Sequence, residues 1–110
     1  MNSKIVFGNE KVRESFEKLK NSKSEEKQLY DSLVKAFGKL EKNAFSGIRI
    51  QKRLVPKEYE QKFGELGCLW KYNLPNAWRL IYSVGKKEVI VLSIILEWLK
   101  HKDYEKRFKY

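Results

Sequence analysis

Three observations on this 110-residue chain predict an α+β fold: a small antiparallel β-sheet with an N-terminal helical pair packed on it, in the order β-α-α-β-β-β plus a short C-terminal helix. Apolar residues of the first half recur at helical spacing. The last third reads as extended runs rich in aromatic and β-branched residues, separated by turn residues at hairpin distance. Helices gathered ahead of the strands, instead of alternating with them, suit one helical layer on an antiparallel sheet.

Taken in order, Lys4–Phe7 is a short strand of Ile5, Val6 and Phe7, closed by Gly8. Asn9 can cap a helix with Val12, Phe16 and Leu19 on one stripe. Residues 21–24 break it, and Glu25 and Glu26 then suit the positive end of a second helix, with Leu29, Leu33, Phe37 and Leu40 as its stripe. So short a break makes the two an antiparallel pair. Residues 47–55 read as a connector or a short edge strand, stopped by Pro56, and Lys57–Phe63 as one or two helical turns ending at Gly64. Residues 69–74 form a strand and Pro75-Asn76 a turn. Residues 77–84 and 88–97 are expected to form a hairpin around Gly85-Lys86-Lys87, with a terminal helix over residues 102–108.

A chain of this length is one domain, and 42% hydrophobic with 14% aromatic residues supplies one modest core and excludes a disordered class. Lys and Arg outnumber Asp and Glu by 24 to 14, a net charge of +10 that favours a polyanionic partner. The lone Cys68 excludes an internal disulfide, suits a cytoplasmic protein and is expected to fill core. Residues 1–9 have no apolar signal region, and the longest apolar run, residues 89–96, is too short to span a bilayer, so no membrane association is expected.

One His and one Cys make no zinc cluster, and no glycine-rich phosphate loop is present, so neither metal nor cofactor is called for. His101 and Asp103 are neighbours in sequence, which is not triad geometry. What remains is a set of cations interleaved with aromatics. Arg79 stands inside an apolar strand, where a guanidinium must reach an open sheet face or find a partner, and Arg grips phosphate with two donors. The bland alternative is a salt bridge to Glu97 across the hairpin. His101 and Tyr104 share a face if a helix starts there, offering proton transfer and a phenolic donor. Tyr104 with Phe108 is equally spaced as a packing face. Lys52, Arg53, Lys71, Lys102 and Arg107 are the candidate contacts to a nucleic-acid backbone, Lys52 and Arg53 reading alternatively as a solvated edge.

The element order, the segment LWKYNLPNAWRLIYSV and the ending ILEWLKHKDYEKRF resemble the RelE/ParE superfamily of type II toxin-antitoxin toxins, above all its RelE-like branch. The likeness covers most of the chain in outline and residues 69–108 in specific positions. It implies a metal-independent endoribonuclease that cuts messenger RNA on the ribosome and blocks translation, the attacking group being the 2′-hydroxyl beside the scissile phosphate. On that likeness Arg79 matches the strand arginine at the phosphate. Tyr104 matches the C-terminal aromatic of proton transfer or base stacking, and Lys71 and His101 fall near a lysine and a terminal His or Arg. Residues 94–98 run where many active relatives place a second arginine, and residues 44–63 are an unusual insertion. A ParE-like gyrase inhibitor and a non-catalytic binding member are the alternatives. Every toxin version implies a cognate acidic antitoxin.

Overall fold

The computed structural model describes residues 1–108. Strand β1 (Lys4–Phe7) leads into helices α1 (Glu10–Lys20) and α2 (Glu25–Lys42). The Asn9 side chain caps α1 by accepting from the Val12 amide at 3.0 Å. Phe16 stacks on Tyr30 at 4.9 Å and meets Phe37 at 5.2 Å, so the two helices fold back on one another as their stripes demand. The segment of residues 44–63 resolves into a two-residue edge strand β2 (Ile48–Arg49), a 3-10 turn (Lys52–Leu54) and helix α3 (Lys57–Phe63). Strands β3 (Leu69–Asn73), β4 (Trp78–Lys87) and β5 (Ile90–Lys100) follow, and α4 (His101–Phe108) continues β5 without a loop.

The strands lie in the order β1-β5-β4-β3-β2. The meander β2–β5 is antiparallel as expected, but β1 joins β5 in parallel, Lys4 facing Leu92 and Phe7 facing Ile95, so the sheet is mixed. No tight turn ties β1 to a neighbour, so hairpin geometry does not dictate its direction. The helical pair carries the chain from β1 to β2 at the opposite edge of the sheet, and the meander then returns to β5, a connection long enough for a parallel pairing. The β4–β5 turn also differs from expectation. Both strands run through Gly85-Lys86-Lys87, with Lys87 facing Ile90, and the chain reverses at Glu88 and Val89, Glu88 taking φ 58°.

Each face of the sheet carries its own core. On the first, Leu80, Tyr82 and Ile95 pack against Leu29, Leu33, Phe37 and Leu40 of α2. On the second, Leu69, Ile81, Leu96 and Leu99 meet Ile50, Tyr59, Tyr104 and Phe108. A bulge between Ile81 and Tyr82 sets the switch: Ile81 faces Glu97 and Tyr82 faces Ile95, leaving Leu96 as the extra residue. Cys68, expected in the core, is exposed, because it precedes β3 in an irregular stretch and not within the strand's buried alternation. Among the described residues, no helix is long and apolar enough to cross a membrane.

Candidate functional site

Alternation along β4 puts Arg79 on the same face as Ile81, the face opposite the helical pair. Across the ladder Arg79 faces Asn73 on β3 and Leu99 on β5, neither of them acidic. Lys71 faces Ile81, which makes it the diagonal neighbour of Arg79, roughly 7 Å away between Cβ atoms. The strand therefore brings two cations to one end of one face. The guanidinium is half-buried; Nη1 donates to the Trp78 carbonyl at 2.9 Å, and Nε is buried with no hydrogen-bond partner. Among the described residues no carboxylate forms an ion pair with it.

His101 reaches the same corner because α4 starts where β5 ends. The connection is held by the β3–β4 turn: the His101 amide donates to the Ala77 carbonyl at 2.7 Å, and Lys100 Nζ donates to the Asn76 carbonyl at 2.8 Å. The imidazole Nε2 lies 3.2 Å from Glu105 Oε1, one helical turn on, while Nδ1 is buried without a partner. Tyr104 is fully buried: its ring lies 6.3 Å from His101, 4.7 Å from Phe108 and 4.8 Å beneath the Lys71 ammonium. The packing reading of Tyr104 with Phe108 is thus met geometrically, and the ring forms the floor on which Lys71 and His101 rest.

The salt bridge weighed for Arg79 does not form. Glu97 instead accepts from Arg107 Nη1, and Arg107 Nε lies 3.4 Å from Glu58. The bond to Glu97 raises the Arg107 pKa above its ordinary value. Two carboxylates thus neutralise Arg107, although the sequence marks it as a backbone contact. Lys102 is exposed on α4. Lys52 and Arg53 are exposed in the 3-10 turn, where Arg53 Nε donates to Gln51 at 3.0 Å, and no hydrogen bond or ion pair among the described residues joins them to Arg79. Of the predicted residues, the structure gathers Arg79, Lys71, His101 and Tyr104, neutralises Arg107 and leaves Lys52, Arg53 and Lys102 apart.

Family models, curated proteins and solved structures were compared with the chain, and none matches it.

Three participants escape a sequence reading focused on cations. Asn73 shares the face of Lys71 and Arg79, which the period of two in Leu69-Lys71-Asn73 already encodes. Glu105 is four residues from His101, the spacing of a helical pair. Ala77 gives no signal at all, since its role lies in its carbonyl. Among the described residues no group of three His, Cys, Asp or Glu side chains could hold a metal ion. The chemistry open to this corner is cationic: it can bind an anion, spread charge off phosphate oxygens and move a proton at imidazole.

Proposed function

We propose that this chain is a RelE-like toxin, an endoribonuclease that cuts messenger RNA on the ribosome and thereby blocks translation in the cytoplasm. One observation carries the reading: among the described residues Arg79 is a half-buried guanidinium with no acidic partner, on the same sheet face as Lys71. Desolvating a charge is costly, and folds usually offset that with a carboxylate, as this one does for Arg107. An uncompensated arginine in a cationic corner is instead matched to an anion that arrives from outside.

In this reading a ribonucleotide's 2′-hydroxyl attacks the adjacent phosphorus and the bond to the 5′-oxygen breaks. The products are a 2′,3′-cyclic phosphate and a 5′-hydroxyl. His101 accepts the 2′-hydroxyl proton, and solvent returns one to the departing 5′-oxygen. Arg79 and Lys71 stabilise the charge building on the non-bridging oxygens, which removal of one such donor typically shows to be worth about 10²–10³-fold in rate. Tyr104, sealed beneath Lys71, positions both neighbours. Neither metal nor cofactor enters the scheme, and an acidic antitoxin is the expected natural restraint on a +10 chain.

A second reading, polyanion binding without cleavage, is favoured by the neutralisation of Arg107 and the burial of Tyr104, which withdraw two groups from direct contact with RNA. Inducible expression in a bacterial host separates the two. Growth, and messenger cleavage on translating ribosomes, are followed for wild type and Arg79→Ala at matched protein level. Arrest with cleavage, both lost in Arg79→Ala, supports the nuclease. Arrest without cleavage overturns it in favour of a protein target such as gyrase, and soluble protein without arrest leaves binding alone.

A further inference from the structure

We propose that the end of the helical-pair face remote from Arg79 is the docking surface for an acidic segment of a partner protein that carries spaced aliphatic side chains. The helical pair covers only part of that face. Past the C-terminus of α2, the tip end of β3, β4 and β5 is left open, and Trp70, Val84 and Val91 are only partly buried there. Two shallow grooves meet at Met1, Lys86 and Val91: Phe45, Arg49 and Trp70 line one, Lys4, Val89 and Ile90 the other. Among the described residues, four of the six exposed large apolar side chains gather here: Met1, Phe45, Val89 and Ile90, with Val89 92% exposed at the turn. A scattered exposed aliphatic is ordinary, but a cluster rimmed by charge marks an interaction surface.

The rim sets the partner's chemistry. Lys4, Arg49, Lys86 and Lys87 stand against the single carboxylate of Glu88, and among the described residues none of the four cations is in an ion pair. Glu41 and Lys42 at the nearby end of α2 cancel. Four cations around an apolar floor complement carboxylates around apolar anchors. The other occupants fit less well. A second copy would bring the same +10 charge, a nucleic-acid backbone has no use for the aliphatics, and a bilayer meets a convex tip better than two concavities.

Arg79 and Lys86 lie seven residue steps apart along β4, roughly 23 Å, so a segment docked here leaves the Arg79 corner open. The inference therefore stands whether or not Arg79 serves a nuclease. Selection of a random-peptide display library on the full-length protein tests it. The expected result is enrichment of acidic peptides bearing two or more aliphatics. These should bind Val89→Asp/Ile90→Asp at least about tenfold more weakly than wild type, and Arg79→Ala within twofold of wild type. Amide resonances of Phe45, Trp70, Lys86 and Val91 should shift on binding. Lys86→Glu/Lys87→Glu, altering exposed charge alone, should lose affinity likewise, which guards against misfolding of the first variant. The proposal is overturned by no enrichment, by peptides that bind both double variants unchanged, or by shifts centred on Arg79. Competition by phosphatidylserine vesicles, or concentration-dependent dimerisation through the same residues, overturns it in favour of a lipid surface or a second copy.

Discussion

The phenol of Tyr82 accepts a hydrogen bond from the Gly47 amide at 3.0 Å and donates one to the Ala44 carbonyl at 2.8 Å. A fully buried side chain on β4 thereby ties down the connection between α2 and β2. The fit is close: a Cβ on Gly47 would lie 2.4 Å from the Lys71 carbonyl and 2.7 Å from the Tyr82 hydroxyl. Gly47→Ala should therefore cost about 1–3 kcal/mol through overpacking against backbone. Tyr82→Phe should cost a similar amount, since it leaves an amide and a carbonyl unsatisfied. Denaturant midpoints of the two variants check both, and a midpoint within experimental error of wild type for either would show that the tie is slack.

Tyr59 makes the opposite case. Its hydroxyl is buried beside Glu97 and Arg107 but in hydrogen-bond geometry with neither. Burial first, and the Glu97 carboxylate second, raise its pKa well above the ordinary 10.0. Tyr59→Phe removes an unsatisfied buried group and should be neutral or stabilising by up to about 1 kcal/mol.

The two phenols also set an alkaline limit. Burial raises Tyr82 from 10.0 to about 12, so its neutral form is favoured by the fold. In the unfolded chain both phenols ionise near pH 10 while the folded protein still holds their protons. Their contribution is complete below pH 10 and lost as pH rises from 10 through about 12, where Tyr82 itself titrates. Thermal midpoints measured from pH 8 to pH 12 should fall on that limb, and less steeply in Tyr59→Phe.

Much of this architecture was legible because it rests on local periodicity. The stripes of Val12, Phe16 and Leu19 and of Leu29, Leu33, Phe37 and Leu40 state where each helix faces, and α3 ends at Gly64 as its composition indicates. Alternation within β3 and β4 was legible too, but only the register between them puts Lys71 and Arg79 on one face. What the sequence could not carry is non-local. The parallel docking of β1 on β5 depends on a crossover and on no nearby turn. The choice of Arg107 over Arg79 as partner of Glu97 depends on where α4 swings after β5, and that angle is set by the Ala77 carbonyl. Gly85-Lys86-Lys87 looks like a turn, yet the reversal falls two residues on, because strand pairing outweighs local turn preference in a long hairpin.

Ala77 holds φ 64° and follows Asn76 at φ 60°, both in the left-handed region. Asn tolerates that region; for Ala the Cβ makes it unfavourable by about 1–2 kcal/mol. The turn is held there by the bonds its carbonyls make to Lys100 and His101. Ala77→Gly removes the steric strain at some cost in chain entropy, and should stabilise the fold by about 0.5–1 kcal/mol. If the proposed nuclease reading holds and the strain also positions His101 against Arg79, this variant should cleave RNA more slowly despite its higher thermal midpoint. A slower, more stable enzyme would tie the turn to the site; unchanged cleavage would make the strain merely structural.

The contrast between Arg79 and Arg107 is decided by salt. Each cation that neutralises a phosphate of single-stranded RNA releases counterions and adds about 0.7 to the slope of log affinity against log salt. On the proposed function Arg79 would meet a backbone phosphate, whereas Arg107 is already held by Glu97 and Glu58. Arg79→Ala should weaken oligoribonucleotide binding and lower the slope by roughly 0.7. Arg107→Ala should leave the slope alone and instead cost about 1–3 kcal/mol of stability, because it strands a partly buried Glu97 carboxylate. Fluorescence anisotropy across a salt series, paired with thermal melts, separates the two behaviours. A slope that falls with Arg107→Ala and holds with Arg79→Ala would reverse the assignment and move the RNA path to the outer side of α4.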